Sequence, residues 1–206
     1  MIPYGKHHID EDDIQAVVDI LRGSFLTQGP VVEAFENAIA EYVGVKYAVA
    51  VSSGTAALHL AALAAGVGLG TSLVTSPITF VASANAARYC GGDVLFADID
   101  PETINMSPGA LREVLLKNSN VKAIIPVHFA GLPCDMIAIK NLADEAGAVV
   151  IEDAAHALGA TYPNGKRVGC CENSLMTIFS FHPVKAIAAG EGGTITTNDE
   201  ATYRKL

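Results

Sequence analysis

Lys185 is the residue whose surroundings best suit covalent chemistry. It follows a short apolar run, Phe179-Ser180-Phe181-His182-Pro183-Val184, and precedes a glycine-rich turn, Gly190-Glu191-Gly192-Gly193. A free lysine amine has a pKa of about 10.4 and is a poor nucleophile at neutral pH. Burial, a neighbouring cation or imine formation changes that, and a strand end ahead of a tight turn is a place for a Schiff-base lysine. One lysine proves nothing, because most are solvated surface charges. The weight comes from matching parts upstream.

The first part is Ser52-Ser53-Gly54-Thr55-Ala56-Ala57-Leu58, between an expected strand and an expected helix. Gly54 lets the backbone approach an anion, the helix dipole favours negative charge, and the hydroxyls of Ser53 and Thr55 add donors. The plainer reading is a strand-to-helix turn with a Ser/Thr cap. The second part is Glu152-Asp153-Ala154-Ala155-His156, ending an apolar strand where ligands collect in open α/β sheets. A carboxylate there can pair with a protonated ring nitrogen, and His156 can hydrogen-bond a cofactor oxygen or a substrate. The plainer reading is a cap by Asp153 beside a structural histidine. Metal ligation by Glu152 and Asp153 is a weaker alternative, because no matching cluster completes a site.

The third part is Thr75-Ser76-Pro77-Ile78-Thr79-Phe80, another strand end, where Phe80 either stacks on a planar ring or enters the core. Ser180 is a further phosphate donor, and His182 a structural hydrogen-bonder. Gly66-Val67-Gly68-Leu69-Gly70 follows a helix instead of a strand, so it is not a dinucleotide fingerprint. Pyridoxal phosphate (PLP) needs a lysine, a carboxylate at its pyridine nitrogen, a phosphate cradle and a stacking face, and these parts together suit it.

Such parts need a frame. Short β-branched runs alternate with alanine-rich stretches, the pattern of a mostly parallel sheet between helices in an α/β fold. Strands are expected at Tyr47–Ser52, Ser72–Thr75, Val94–Asp98, Ala123–Val127, Val149–Asp153, Thr177–Phe181 and Thr194–Thr197. Helices are expected at Asp10–Arg22, Thr55–Ala65, Phe80–Tyr89, Pro108–Lys117 and Met136–Ala146. The last residues, Asn198 to Leu206, begin like a further helix with a polar cap and an acidic first turn, and the expectation is a chain cut there.

With 206 residues, half of them apolar and 17% charged, the chain is long enough for one α/β domain with a real core. A net charge of −9 argues against nucleic-acid binding, which relies on clustered Lys and Arg, but leaves small phosphorylated ligands open. The N-terminus carries no apolar signal region, and the longest apolar stretch, around Ala56 to Val67, is interrupted by His59. A soluble protein without a membrane span is expected. Cys90, Cys134, Cys170 and Cys171 show no paired C-x-x-C spacing and read as reduced, partly buried thiols of a cytoplasmic protein.

Over nearly its whole length the sequence resembles the DegT/DnrJ/EryC1/StrS family of nucleotide-sugar aminotransferases. The resemblance is carried by Leu26-Thr27-Gln28-Gly29-Pro30, Ser53 to Leu58, Pro77 to Asn85, Glu152 to Gly159, and Phe179 to Lys185. It implies the large domain of fold type I PLP-dependent transferases (aspartate aminotransferase-like), with a seven-stranded sheet, and a small C-terminal domain absent from this chain. By resemblance, Lys185 is the Schiff-base and proton-shuttling lysine, Asp153 holds the pyridinium, Phe80 stacks, and His156 contacts the ring's hydroxyl side. Gly54, Thr55 and Ser180 bind the phosphate, while Tyr4, Phe25, Leu26, Thr27 and Gln28 lie near the sugar nucleotide.

Ser76 to Phe80, Pro126-Val127-His128-Phe129-Ala130-Gly131 and Phe181 to Lys185 look most like the pseudaminic acid branch. That branch aminates a UDP-linked 4-keto-6-deoxy sugar with L-glutamate, in two half-reactions, in homodimers with shared sites. Ala186-Ile187-Ala188-Ala189 departs from relatives, which usually carry threonines there. Alternatives are an aminotransferase of another sugar, of the 4-amino-arabinose or perosamine type, or a non-catalytic PLP-binding regulator. Lys185 argues against the family's dehydratases, which carry histidine in its place.

Overall fold

The computed structural model describes residues 6–206. Seven strands form one sheet: β1 (Tyr47–Val51), β2 (Ser72–Thr75), β3 (Asp93–Phe96), β4 (Val121–Ile125), β5 (Val149–Asp153), β6 (Met176–Ser180) and β7 (Gly193–Thr197). Their spatial order is β1-β7-β6-β5-β4-β2-β3. The pairs from β6 through β3 are parallel, whereas β7 is antiparallel to both β6 and β1. All strands except β7 therefore end on one edge, and β7 begins there.

The helices are α1 (Glu11–Arg22), α2 (Pro30–Val43), α3 (Gly54–Ala64), α4 (Val81–Tyr89), α5 (Pro108–Lys117), α6 (Met136–Ala146) and α7 (Glu200–Tyr203). Strand periodicity splits the core in two. Ile125, Ile151, Ile178 and Ile195 face the alanine-rich sides of α3 and α4. Val74, Ile124, Val150 and Phe179 face α2, α5 and α6, which contribute Ile39, Leu111 and Ile139. Small side chains on α3 and α4, such as Ala57, Ala61, Ala82 and Ala86, let those helices lie close to the sheet.

Several boundaries shift from the sequence expectation. β4 ends at Ile125, two residues early, because Pro126 has no amide hydrogen to continue the ladder; Val127 keeps only an isolated bridge to Asp153. β3 and β6 also lie slightly N-terminal of their expected ranges. Phe80 is the extended N-cap of α4 (φ −69°, ψ 141°), not its first residue. No element was expected over residues 30–43, where α2 forms. Pro30 at its first turn and Gly44, left-handed at φ 76°, are its start and stop signals. The expected terminal helix is α7, capped by Asp199, whose carboxylate accepts from the Thr202 amide at 2.6 Å.

Candidate active site

The chemistry-bearing residues gather at the strand-end edge. Gly54 opens α3 just after β1, Phe80 follows β2, Asp153 closes β5, Ser180 closes β6, and Lys185 lies in the loop between β6 and β7. That loop is clasped to the sheet: the Phe181 amide donates to Gly192 O and the Ala189 amide to Phe181 O, both at 2.9 Å. Phe181 is buried and meets Phe35 of α2 edge-on, with ring centroids 5.4 Å apart. The lysine thus sits on an excursion whose base is fixed and whose tip is accessible.

Lys185 is half-buried, and that burial lowers its pKa, with Asp153 opposing. His156 reaches solvent, yet partial desolvation and then the positive charge of Lys185 lower its pKa, again with Asp153 opposing. These mutual effects place Lys185, Asp153 and His156 within electrostatic reach of one another. A lysine shifted down holds more neutral amine at a given pH, which is what a nucleophile and base requires.

Asp153 is only 4% exposed and faces α3 and α4. Its Oδ2 accepts the Ser83 hydroxyl at 2.7 Å and its Oδ1 the Ala155 amide at 3.2 Å. The Asp153 backbone is tied to the β4 end, donating to Pro126 O at 2.9 Å and accepting from the His128 amide at 3.0 Å. Asp153 caps no helix, since Ala154 to Ala157 are not helical.

Glu152, one residue earlier, points to the opposite face. Its carboxylate accepts from His128 Nε2 at 2.8 Å, Ser174 Oγ at 2.5 Å, Thr177 Oγ1 at 3.0 Å and the Tyr162 hydroxyl. Burial alone raises the Glu152 pKa, but His128, then Ser174 and Tyr162, hold it below the usual carboxylate range. Burial disfavours a charged His128 and Glu152 favours one; the Cys134 amide aimed at Nδ1 at 3.2 Å decides, because it needs a lone pair there. The ring is neutral with its proton on Nε2. No group of three or more His, Cys, Asp or Glu among the described residues has metal-binding geometry. The four cysteines are free, and burial pushes the Cys171 thiol up to about 12.

At the start of α3, Ser53 Oγ accepts the Ala56 amide at 3.1 Å, so its capping reading is the observed one. The amides of Gly54 and Thr55 are first-turn donors without intrahelical acceptors. A Cβ on Gly54 would stand 2.8 Å from Ser180 Cβ, and one on Gly193 would stand 2.5 Å from Ser53 O. Only glycine permits both approaches, which bring the Ser180 hydroxyl beside the α3 N-terminus. Phe80 is 70% exposed rather than in the core.

The donor set fits PLP: the two first-turn amides and Ser180 suit its phosphate, and Asp153 suits its ring nitrogen. Phe80 offers a ring face, and the amine of Lys185 is available for the aldehyde.

The Phe25–Gln28 segment is exposed, and no hydrogen bond among the described residues joins it to the lysine cluster. Instead Lys6, His7 and His8 line the 1030 Å³ cleft that contains Lys185 and Ile187. Tyr4 lies outside the described residues. Sequence reasoning missed Ser83, Thr79 and the donors around Glu152. Helical spacing after Thr79 was the available signal for Ser83; nothing local marked Ser174 or Tyr162.

A mostly parallel sheet with this strand-end site is the fold type I architecture of PLP-dependent aminotransferases. Residues 7–206 match the DegT/DnrJ/EryC1/StrS aminotransferase family, and the chain belongs to it.

It is 43% identical over 205 residues to the spore coat polysaccharide biosynthesis protein SpsC of Bacillus subtilis, covering all of this chain and 51% of that protein. Among solved structures, it superposes on the PLP form of the putative sugar aminotransferase Spr1654 of Streptococcus pneumoniae with a TM-score of 0.92 and 29% identity, covering 99% of this chain and 56% of that one. Helicobacter pylori PseC, an aminotransferase involved in pseudaminic acid biosynthesis, gives 0.89 at 34% identity, covering 98% and 54%. The chain spans about half the length of the curated relatives it matches.

Proposed function

We propose that this chain supplies the cofactor-binding part of a PLP-dependent aminotransferase acting on a nucleotide-linked keto sugar in surface-polysaccharide biosynthesis. The observation that carries the reading is the convergence of Gly54, Asp153 and Ser180 on the strand-end edge, beside the loop that bears Lys185. PLP, when bound, supplies an electron sink for amino-group transfer. Asp153 would keep the ring nitrogen protonated, Phe80 would cover the ring, and neutral His156 would hydrogen-bond its oxygen. Gly54, Thr55 and Ser180 hold the phosphate. Lys185 Nζ would hold the group covalently, and as a free amine it would take the amino donor's α-proton. Arginine could not replace it, being always charged.

The finer reading is a UDP-linked 4-keto-6-deoxy-N-acetyl sugar of the L-altro type as acceptor and L-glutamate as donor. It further has a cytoplasmic homodimer with shared sites. The motifs at Ser76–Phe80 and Phe181–Lys185 and the likeness to PseC support it. The higher identity to SpsC supports a second reading, a different sugar nucleotide of surface polysaccharide. Among the described residues no helix is long and apolar enough to cross a membrane.

The test is an absorbance spectrum of dialysed protein with added PLP, before and after borohydride, beside Lys185→Ala. A band near about 410–430 nm that reduction fixes, absent in Lys185→Ala, is expected. No band in this chain or in one of the relatives' full length would overturn the proposal. Amination of a panel of UDP-keto sugars by the longer chain then separates the two acceptor readings.

A further inference from the structure

Asp153 is held at its backbone by β4, but one side-chain hydroxyl governs its carboxylate. Ser83 is fully buried on α4 and donates to Asp153 Oδ2 at 2.7 Å, a length typical of a bond to an ionised acceptor. Thr79 Oγ1 lies 2.8 Å from Ser83 Oγ. The proton inventory fixes the direction. A carboxylate only accepts, so the single Ser83 proton goes to Asp153, and the Thr79 proton goes to Ser83. Each bond polarises the next.

The relay starts one residue before Phe80, the exposed aromatic at the mouth of the site, and ends on the acid at its floor. Resting on the cofactor reading above, we propose that Ser83 is a positioning residue, with Thr79 behind it. It fixes the rotation of the Asp153 carboxylate, so that the edge left open would address the ring nitrogen, and it holds that acid in register with the exposed face of Phe80. Without Ser83, Oδ1 keeps only the long Ala155 contact, and the carboxylate is free to turn.

The test uses PLP itself, labelled with 15N at the ring. Dissociation constants come from spectral titration, and the ring-nitrogen shift is followed against pH in the unsubstituted chain, Ser83→Ala, Thr79→Val and Thr79→Ser. The titratable groups facing Asp153, Lys185 and His156, are common to all four. Ser83→Ala is expected to weaken PLP binding about tenfold or more and to lower the pH at which the ring nitrogen loses its proton by about one unit. Thr79→Val, equal in shape but without the donor, moves both in the same direction by less, and Thr79→Ser restores them.

PLP uptake by Ser83→Ala with an unchanged constant and titration sinks the relay while leaving the cofactor reading intact. No uptake by the unsubstituted chain sinks both. If Ser83→Ala does not fold, Thr79→Val decides by the same titration, and equality with Thr79→Ser overturns the relay.

Discussion

Glu152 and Asp153 are neighbours on one strand, both buried, yet they end on opposite faces of the sheet. Glu152 accepts from four side chains, and its bonding capacity is spent inside the fold. Asp153 accepts one short bond from Ser83 and one long one from Ala155, and keeps an edge for something else. A saturated carboxylate acts as a structural anion; one with capacity left beside a shifted lysine can act on a ligand. What separates the two roles is the count of committed donors, not burial.

The comparison breaks most visibly in stability. Glu152→Gln puts an amide among four donors and should cost about 3–5 kcal/mol in denaturant unfolding at neutral pH. The pH dependence sharpens it. Because the folded pKa of Glu152 is depressed, its contribution is present above the unfolded glutamate value of about 4.3 and is lost as pH falls through the lower folded value. The gap between the unsubstituted chain and Glu152→Gln should therefore close in the acid limb, below about pH 4; a gap that persists there would mean that packing, not charge, is at stake.

Asp153→Asn should show the converse. Its unfolding free energy should change by no more than about 1–2 kcal/mol, while PLP affinity falls by about 100-fold or more. Equal stability losses at 152 and 153 would erase the distinction. The smallest effect belongs to Lys185. Its folded pKa is lowered by burial, so between the folded and unfolded values the unfolded chain binds more protons and stability rises with pH. Lys185→Met should thus be slightly more stable at pH 7, by less than about 1 kcal/mol in thermal melts without PLP, and the difference should vanish by pH 10 to 11.

Much of this frame was legible because it is local. The run Val149 to Asp153 announces a buried strand, and Gly54 and Ser53 announce a helix start. Strand alternation already implied that residues 152 and 153 diverge. Which face receives the ligand was not legible, because the answer lies with Ser83, 70 residues away, and with the donors around Glu152, contributed by the β4–α6 turn, the segment after β5 and β6 itself. α2, by contrast, was legible, since Val32, Phe35, Ile39 and Val43 recur at helical spacing opposite Glu33, Asn37 and Glu41, between a proline start and a glycine stop. Phe80 could not be assigned to surface or core from residue type alone; its position as an N-cap decided that.

The antiparallel strand β7 has a consequence for how the molecule forms. β6 and β7 make a hairpin around the lysine loop, a nearby pairing that closes cheaply. Among the described residues, however, β1 pairs with β7 alone, and that seam joins Lys46 to Asn198 across 152 residues. Closing so long a loop is slow and comes after shorter contacts. During synthesis the α3 N-terminus must wait for β6 and β7 before Ser180 reaches it, so the phosphate cradle is expected to take shape after the parallel part of the sheet.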